Sequence, residues 1–168
     1  MNKQEGFRLA EYDETIREVL DSGGAFRIYP RGISMLPLLR EGVDSVLLEK
    51  PDSAPKKGDI LFYRRDDGSY VLHRVIRAGE SLVMCGDAQL RPETGIGQRH
   101  IIGRVCRIYR GDRELSMRGV RYRSYCLLWR SFFIRRVYFR LRRLGSGRSS
   151  EVWIWSLRIR RASILSRC

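Results

Sequence analysis

Residues 58–77 read GDILFYRRDDGSYVLHRVIR, two apolar runs on either side of the polar stretch DDGS. Both runs are rich in residues that favour β-strands, and an Asp-Gly turn between such runs is typical of a β-hairpin. In SYVLHRVIR, strand alternation puts Val71, His73 and Val75 on one face and Arg74 on the other. This segment therefore predicts two antiparallel strands with a histidine on an apolar face.

Similar short runs extend from residue 25 to about residue 109. The candidate strands are FRIYP, VDSVLLEK, GDILFYRR, SYVLHRVIR, SLVMCGD and IIGRVCRIYR. Parallel βαβ units would need a helix between consecutive strands, and these connections are too short to hold one. We therefore predict a mainly β, antiparallel domain over residues 25–116. It is preceded by a short helical segment within residues 1–24, because EYDETIREVLDSGG has its apolar residues on one side and ends in two glycines.

The net charge of +14 is concentrated at the C-terminal end of the chain. Residues 117–168 contain 14 of the 33 basic residues and one of the 19 acidic residues, so they carry +13. Within this appendage an apolar stripe recurs at three- or four-residue steps: Cys126, Trp129, Phe133, Val137, Leu141 and Leu144. The arginines that mostly crowd the other side are Arg130, Arg135, Arg136, Arg140, Arg142 and Arg143. The pattern predicts an amphipathic basic helix of the kind that lies on a membrane surface. Residues 151–168 are apolar and basic, but their pattern predicts neither a helix nor a strand.

Several classes of protein are disfavoured by what the sequence lacks. The N-terminus has no apolar core of a secretion signal, and no window approaches the roughly 18 apolar residues of a membrane span. The four cysteines are far apart and do not have the spacing of a zinc site. A nucleic-acid arm would have little use for the apolar stripe. We therefore expect peripheral membrane association, at the cytoplasmic side, through residues 117–168.

A serine interrupts the apolar stretch RGISMLPLLREG at residues 31–42. A nucleophilic serine needs a base, and the base must be held by a further group. Of the two histidines, His100 lies in a polar loop and is expected to be solvated, whereas His73 is flanked by valines that disfavour its charged form. Asp87, in the turn CGDAQ, is a candidate acceptor for the proton-bearing nitrogen of His73. Taken singly, Ser34, His73 and Asp87 also have structural interpretations, as a turn hydroxyl, a core histidine and a turn aspartate.

The ordered set RGISMLPLL, EGVDSVLLEK, KKGDILFY, YVLHRVI and CGDAQ resembles the conserved boxes of the signal peptidase and SOS-repressor superfamily of serine proteases. The resemblance covers roughly residues 24–109 and implies a signal peptidase-like β-fold. It implies that Ser34 is the nucleophile. Where the bacterial and repressor branches have a lysine as base, this chain has His73. In this respect it resembles archaeal and endoplasmic-reticulum signal peptidases, so His73 is the implied base. Those relatives have an aspartate that matches Asp87 and a second acid six residues further on, where this chain has Glu93.

On this interpretation Ser34 lies at the edge of an apolar peptide-binding groove. Gly32 allows close approach to a substrate carbonyl, and its N–H and that of Ser34 are the expected oxyanion hole. The residues expected to line or support the groove are Met35, Leu36 and Leu38. Plain core packing of these three residues is compatible with the same pattern.

The predicted activity is hydrolysis of a peptide bond in a peptide or protein substrate through an acyl-enzyme. Ser34 attacks, His73 transfers the proton, Asp87 orients His73 and Glu93 assists. The chemistry uses side chains only, so neither a cofactor nor a metal ion is expected. Two other classes stay open: a non-catalytic peptide-binding or membrane-surface domain of the same fold, and a nucleic-acid binder acting through the arginine-rich appendage. Signal peptidases carry membrane-spanning segments, so the resemblance implies the chemistry and leaves the substrate open.

Overall fold

A computed structural model describes residues 3–129 and 131–145. The helices are α1 (Lys3–Asp21), α2 (Val120–Trp129) and α3 (Phe132–Gly145), and a short 3-10 helix spans Gln98–His100. The strands are β1 (Phe26–Ile28), β2 (Asp44–Glu49), β3 (Ile60–Arg64), β4 (Tyr70–Arg77), β5 (Leu82–Cys85), β6 (Glu93–Ile96), β7 (Ile101–Arg110) and β8 (Arg113–Leu115). None of the described helices is both long and apolar enough to cross a bilayer.

The eight strands form one sheet in which every pair is antiparallel. Its order is β1-β2-β7-β3-β4-β5-β6, with β8 paired to β7. The predicted hairpin joins β3 to β4, where Arg65 N–H donates to Ser69 and Gly68 takes a positive φ of 81° that suits glycine. The prediction of a mainly antiparallel β domain with a short N-terminal helix is confirmed.

Alternation along the strands divides the apolar side chains into two clusters. One cluster joins Phe62 and Leu72 to Ile16 and Leu20 of α1 and to Met35 of the turn that carries Ser34. The other includes Leu61, Tyr63, Val71, Val75 and Met84. Adjacent residues of β3 and β4 thus contribute to different clusters, which is the period-two pattern of a strand buried on both faces. His73 lies on the Val71 and Val75 side of β4, as the alternation predicts.

Two strands lie where the sequence shows no strand pattern. β6 is largely exposed and has a single buried apolar residue, Ile96, so it lacks the alternation by which a strand is recognised. β8 is three residues long and turns back on β7 at Gly111, where φ is 59°. Both are held by backbone pairing to their neighbour, Glu93 opposite Met84 in β6 and Glu114 opposite Tyr109 in β8. Backbone pairing of this kind leaves little trace in side-chain composition.

The C-terminal helical segment differs from the single amphipathic helix that the sequence predicts. It forms two helices, which end at Trp129 and resume at Phe132. Trp129 is buried, and Arg135, which the pattern places among the outward arginines, is only 1% exposed. The cause is contact with the sheet domain, since both side chains pack on the turn after β5. The side chains of Phe133, Leu141 and Leu144, and all of residues 146–168, lie outside the described part of the chain.

Candidate active site

Ser34 and His73 lie within hydrogen-bonding distance. Ser34 is in the turn between β1 and β2, and its hydroxyl oxygen is 3.1 Å from Nε2 of His73 in β4. The two residues are 4% and 1% exposed. Sequence separation between them is 39 residues, so the sheet and not local structure brings them together. A serine hydroxyl facing an imidazole nitrogen is the arrangement in which a base can accept the serine proton.

His73 is held in its neutral form. Burial lowers its pKa to about 4, while Glu93 acts to raise it and Arg65 to lower it. At neutral pH the imidazole therefore carries a single proton, and one of its two nitrogens can accept a second. This is the protonation state that a general base needs, and it agrees in direction with the desolvation inferred from the flanking valines.

A chain of contacts extends from Nδ1 of His73 to the surface. The Tyr63 hydroxyl is 3.1 Å from Nδ1 and donates to Oε2 of Glu93 at 2.8 Å. Arg65 binds both Glu93 oxygens, at 2.6 and 2.7 Å. Burial opposes ionisation of Glu93, but the bonds from Arg65 and Tyr63 outweigh it and keep the pKa of the carboxyl below its ordinary value. Arg65 and Glu93 also line an open cleft of about 520 Å³, so solvent reaches the outer end of the chain.

Sequence reasoning did not identify Tyr63 or Arg65 as part of this site. Tyr63 reads as one more apolar residue of a strand. The available signal was the hairpin register: Leu61 is opposite His73 and Tyr63 is opposite Val71, so Tyr63 and His73 are diagonal neighbours on one face. The contact between Arg65 and Glu93 joins residues 28 apart and has no local signature.

Asp87 lies elsewhere than expected. Its carboxylate accepts two bonds from Arg74, both at 2.8 Å, and a third from the Tyr125 hydroxyl at 2.8 Å. Nδ1 of His73, the nitrogen expected to face Asp87, faces Tyr63 and lies 3.8 Å from Glu93. The reason is strand alternation, because Arg74 points away from the His73 face. The expected orienting bond from Asp87 is therefore replaced by the Tyr63–Glu93 pair.

The turn that contains Asp87 supports the backbone of Ser34. Ala88 N–H donates to the Ser34 carbonyl at 2.6 Å. A Cβ built on Gly86 would come within 2.6 Å of the same carbonyl oxygen and 3.0 Å of the Ser34 Cβ. Only glycine allows this approach, so the Gly-Asp turn is packed directly against the candidate nucleophile.

Helices α2 and α3 clamp this turn from outside. The indole N–H of Trp129 donates to the Asp87 carbonyl at 2.7 Å. Arg135 donates to the Gly86 carbonyl at 3.1 Å, to the Gln89 carbonyl at 3.2 Å and to the Trp129 carbonyl at 2.6 Å. Part of the expected appendage is therefore connected, through one turn, to the backbone that carries Ser34.

The expected oxyanion hole is only partly available. Gly32 has the positive φ, 86°, that favours glycine, but its N–H donates to the carboxylate of Glu41 at 3.1 Å. Of the groove residues, Met35 is fully buried in the core and supports the turn from below. Leu36 and Leu38 are half-buried, and Ile33 beside Ser34 is 50% exposed.

His100 is buried and not solvated as expected. It accepts a bond from Gly97 N–H at 2.9 Å and lies 3.1 Å from Asp66, so its environment is a structural turn remote in sequence from His73. Within residues 3–129 and 131–145, no group of three or more His, Cys, Asp or Glu side chains is placed to hold a metal ion.

Comparison of the chain with protein-family models, curated proteins and solved structures found no match.

Proposed function

We propose that this chain is a signal peptidase-like serine endopeptidase in which Ser34 is the nucleophile and His73 the general base. One observation carries the proposal: the 3.1 Å contact between the Ser34 hydroxyl and a buried, neutral His73 that has a carboxylate behind it. A nucleophile, a base and a group that orients the base are the parts that acyl-enzyme chemistry requires.

The reaction proceeds in two rounds, in each of which His73 takes up one proton and gives one away. As the Ser34 oxygen bonds to the substrate carbonyl carbon, its proton moves to Nε2 and the carbonyl electrons move to the oxygen. Collapse of this intermediate breaks the C–N bond, the leaving nitrogen takes the proton from His73, and Ser34 remains acylated. Water then attacks the ester carbonyl carbon and gives a proton to His73; the C–O bond to Ser34 breaks, and His73 returns the proton to the serine oxygen.

Glu93 and Asp87 have different roles in this proposal. Glu93 stabilises the imidazolium that forms when His73 takes the proton, because it is the acid behind Nδ1. Asp87 neutralises the buried Arg74, and the next residue, Ala88, holds the turn against the Ser34 carbonyl. Ser34 N–H is the oxyanion donor of this proposal, and Gly32 N–H joins it when the Glu41 carboxylate moves away.

The test is the set of new protein N-termini in cells that carry the intact protein or Ser34→Ala. Termini made by the enzyme should disappear with Ser34→Ala and with His73→Ala, since loss of nucleophile or base costs at least on the order of 10³-fold in rate. The control is Ser81→Ala, at an exposed serine, which should leave every terminus in place. Identical termini in all cells would leave a non-catalytic peptide-binding domain as the better description.

We further propose that the chain works at a membrane surface, at the cytoplasmic side, through α2 and α3. Among the side chains of these helices that the structure describes, four apolar ones are exposed: Val120 (80%), Leu127 (66%), Leu128 (56%) and Val137 (41%). Every charged residue from position 116 to position 145 is an arginine. Anionic lipid attracts such residues by about 1 kcal/mol each, and the cytoplasmic leaflet is the anionic one. Trp129, expected in the membrane-facing stripe, is instead engaged with Asp87.

Vesicle co-sedimentation across a salt series separates this surface from a nucleic-acid arm. Burial of Leu127 and Leu128 gives a contribution that salt does not screen, so part of the binding to anionic vesicles should persist at high salt. Leu127→Asp should abolish the binding that persists at high salt. Val43→Asp, at a 47%-exposed valine of the sheet domain, should leave that binding unchanged. Complete loss of wild-type binding at high salt, with tight binding to RNA or DNA at low salt, would favour nucleic acid.

A further inference from the structure

The hydroxyl of Tyr63 lies between the candidate base and the carboxylate that supports it. Its oxygen is 3.1 Å from Nδ1 of His73 and 2.8 Å from Oε2 of Glu93, while Nδ1 and Oε2 are 3.8 Å apart. At that separation His73 and Glu93 do not share a direct hydrogen bond. Tyr63 is fully buried. Hydrogen bonding between Glu93 and His73 therefore passes through this hydroxyl.

Counting protons determines the direction of both bonds. A carboxylate can only accept, and Arg65 keeps Glu93 ionised, so the single hydroxyl proton of Tyr63 is donated to Glu93. Burial and the nearby Glu93 raise the pKa of Tyr63 far above its ordinary value, so the hydroxyl keeps that proton at neutral pH. Its oxygen can then only accept at the contact with His73. The donor in that contact must be the N–H at Nδ1.

The tautomer of neutral His73 follows from this count. A neutral imidazole has one N–H, and placing it at Nδ1 leaves the lone pair at Nε2. Nε2 is the nitrogen 3.1 Å from the Ser34 hydroxyl. The opposite tautomer would put two lone pairs against each other at Nδ1 and would leave Nε2 unable to take the serine proton.

We infer that Tyr63 is a positioning residue that holds His73 in the Nδ1–H tautomer and transmits the charge of Glu93 to it. When Nε2 accepts the serine proton, the imidazolium donates from Nδ1 to the Tyr63 oxygen, whose own proton remains on the bond to Glu93. No bond to the substrate is involved, so the role concerns the rate of proton transfer and not substrate binding. The tautomer part of the inference stands without the proposed function, and the rate part rests on it.

A matched pair of variants separates this role from core packing. Tyr63→Phe keeps the ring and removes the hydroxyl. Tyr70→Phe makes the same change at the buried Tyr70, whose hydroxyl donates to the Asp13 carboxylate at 3.1 Å in the other core cluster. Both variants lose a buried tyrosine–carboxylate bond, but only Tyr63→Phe alters the surroundings of His73.

The first measurement is the ¹⁵N NMR spectrum of the full chain with labelled histidine, at a pH where His73 is neutral. With only two histidines in the chain, the His73 signals are identified by their loss in His73→Gln. The wild type and Tyr70→Phe should show the Nδ1–H tautomer at His73, and Tyr63→Phe should show a mixture or the Nε2–H tautomer. An Nε2–H tautomer in the wild type overturns the inference, whether or not Tyr63→Phe folds, and so does an unchanged tautomer in Tyr63→Phe.

The second measurement is cleavage of a peptide mixture, followed by mass spectrometry. Tyr63→Phe should lower kcat by about 10²-fold or more with KM unchanged, since loss of base orientation removes part of the roughly 10²–10⁴-fold from general base catalysis. Equal losses in Tyr63→Phe and Tyr70→Phe would assign the effect to packing. If the tautomer depends on Tyr63 but neither the wild type nor any variant cleaves peptides, the proposed function fails and the tautomer assignment stands.

Discussion

Gly86→Ala should separate the position of Ser34 from the chemistry of the site. The added Cβ would lie 2.6 Å from the Ser34 carbonyl oxygen, about 0.8 Å short of the 3.4 Å at which ordinary contact begins. It would also lie 3.0 Å from the Ser34 Cβ and 3.1 Å from the Gln89 side chain. Gln89 can give way, because it is a side-chain end, but Ser34 O and Cβ are fixed to the backbone of the turn.

The expected cost has two parts. Overpacking of a tight contact lowers the free energy of unfolding by about 1–3 kcal/mol. The Ser34 carbonyl is also tied to Ala88 N–H at 2.6 Å, so the shift must stretch that bond or carry Ser34 away from His73. A misplacement of about 1 Å in a catalytic group costs on the order of 10²-fold in rate. We therefore expect kcat for peptide cleavage to fall by about 10²-fold, well beyond what partial unfolding explains.

The assay is cleavage of a peptide mixture at 25 °C together with urea unfolding of the same preparation. Gly79→Ala is the matched control: its added Cβ would meet nothing closer than 3.8 Å, and it should change neither quantity. Wild-type kcat in a folded Gly86→Ala protein would refute the view that the Gly-Asp turn positions Ser34.

Three other predictions concern the buried groups around the site. Because burial lowers the pKa of His73 from 6.5 to about 4, the unfolded chain takes up this proton first as the pH falls. The free energy of unfolding should drop by about 3 kcal/mol between neutral pH and the pKa of His73 in the folded protein. Urea midpoints of His73→Gln should lack this dependence on pH. Asp87→Asn leaves buried Arg74 without its counter-charge, so urea unfolding should show that the free energy of unfolding falls by about 3–5 kcal/mol. The exposed Asp52→Asn, which also loses an arginine partner, should hardly move the midpoint. Trp129→Phe keeps an aromatic ring but removes the N–H that donates to the Asp87 carbonyl. Thermal unfolding should show that the free energy of unfolding falls by about 1–3 kcal/mol.

The sequence predicts those features that depend on period and on local turns. The alternation around His73 places that residue on the correct face, and the Asp-Gly turn predicts the hairpin that brings Tyr63 beside it. β6 could not be predicted because it is stabilised by backbone pairing, which leaves no alternation of apolar and polar residues in the sequence. The partners of Asp87 could not be predicted, since a carboxylate near several arginines has no preferred one until the sheet is formed. Arg135 looks like every other arginine of its helix in sequence, and only the turn it meets distinguishes it.

The contacts of α2 and α3 with the Gly-Asp turn imply an order of folding events during synthesis of the chain. All eight strands are complete at Leu115, but the turn behind Ser34 is secured by Trp129 and Arg135, which are synthesised later. On the ribosome, the sheet can therefore form before the turn that supports Ser34 is secured. Under the proposed peptidase function, such a delay would keep the site incomplete until the C-terminal helices have docked on the turn.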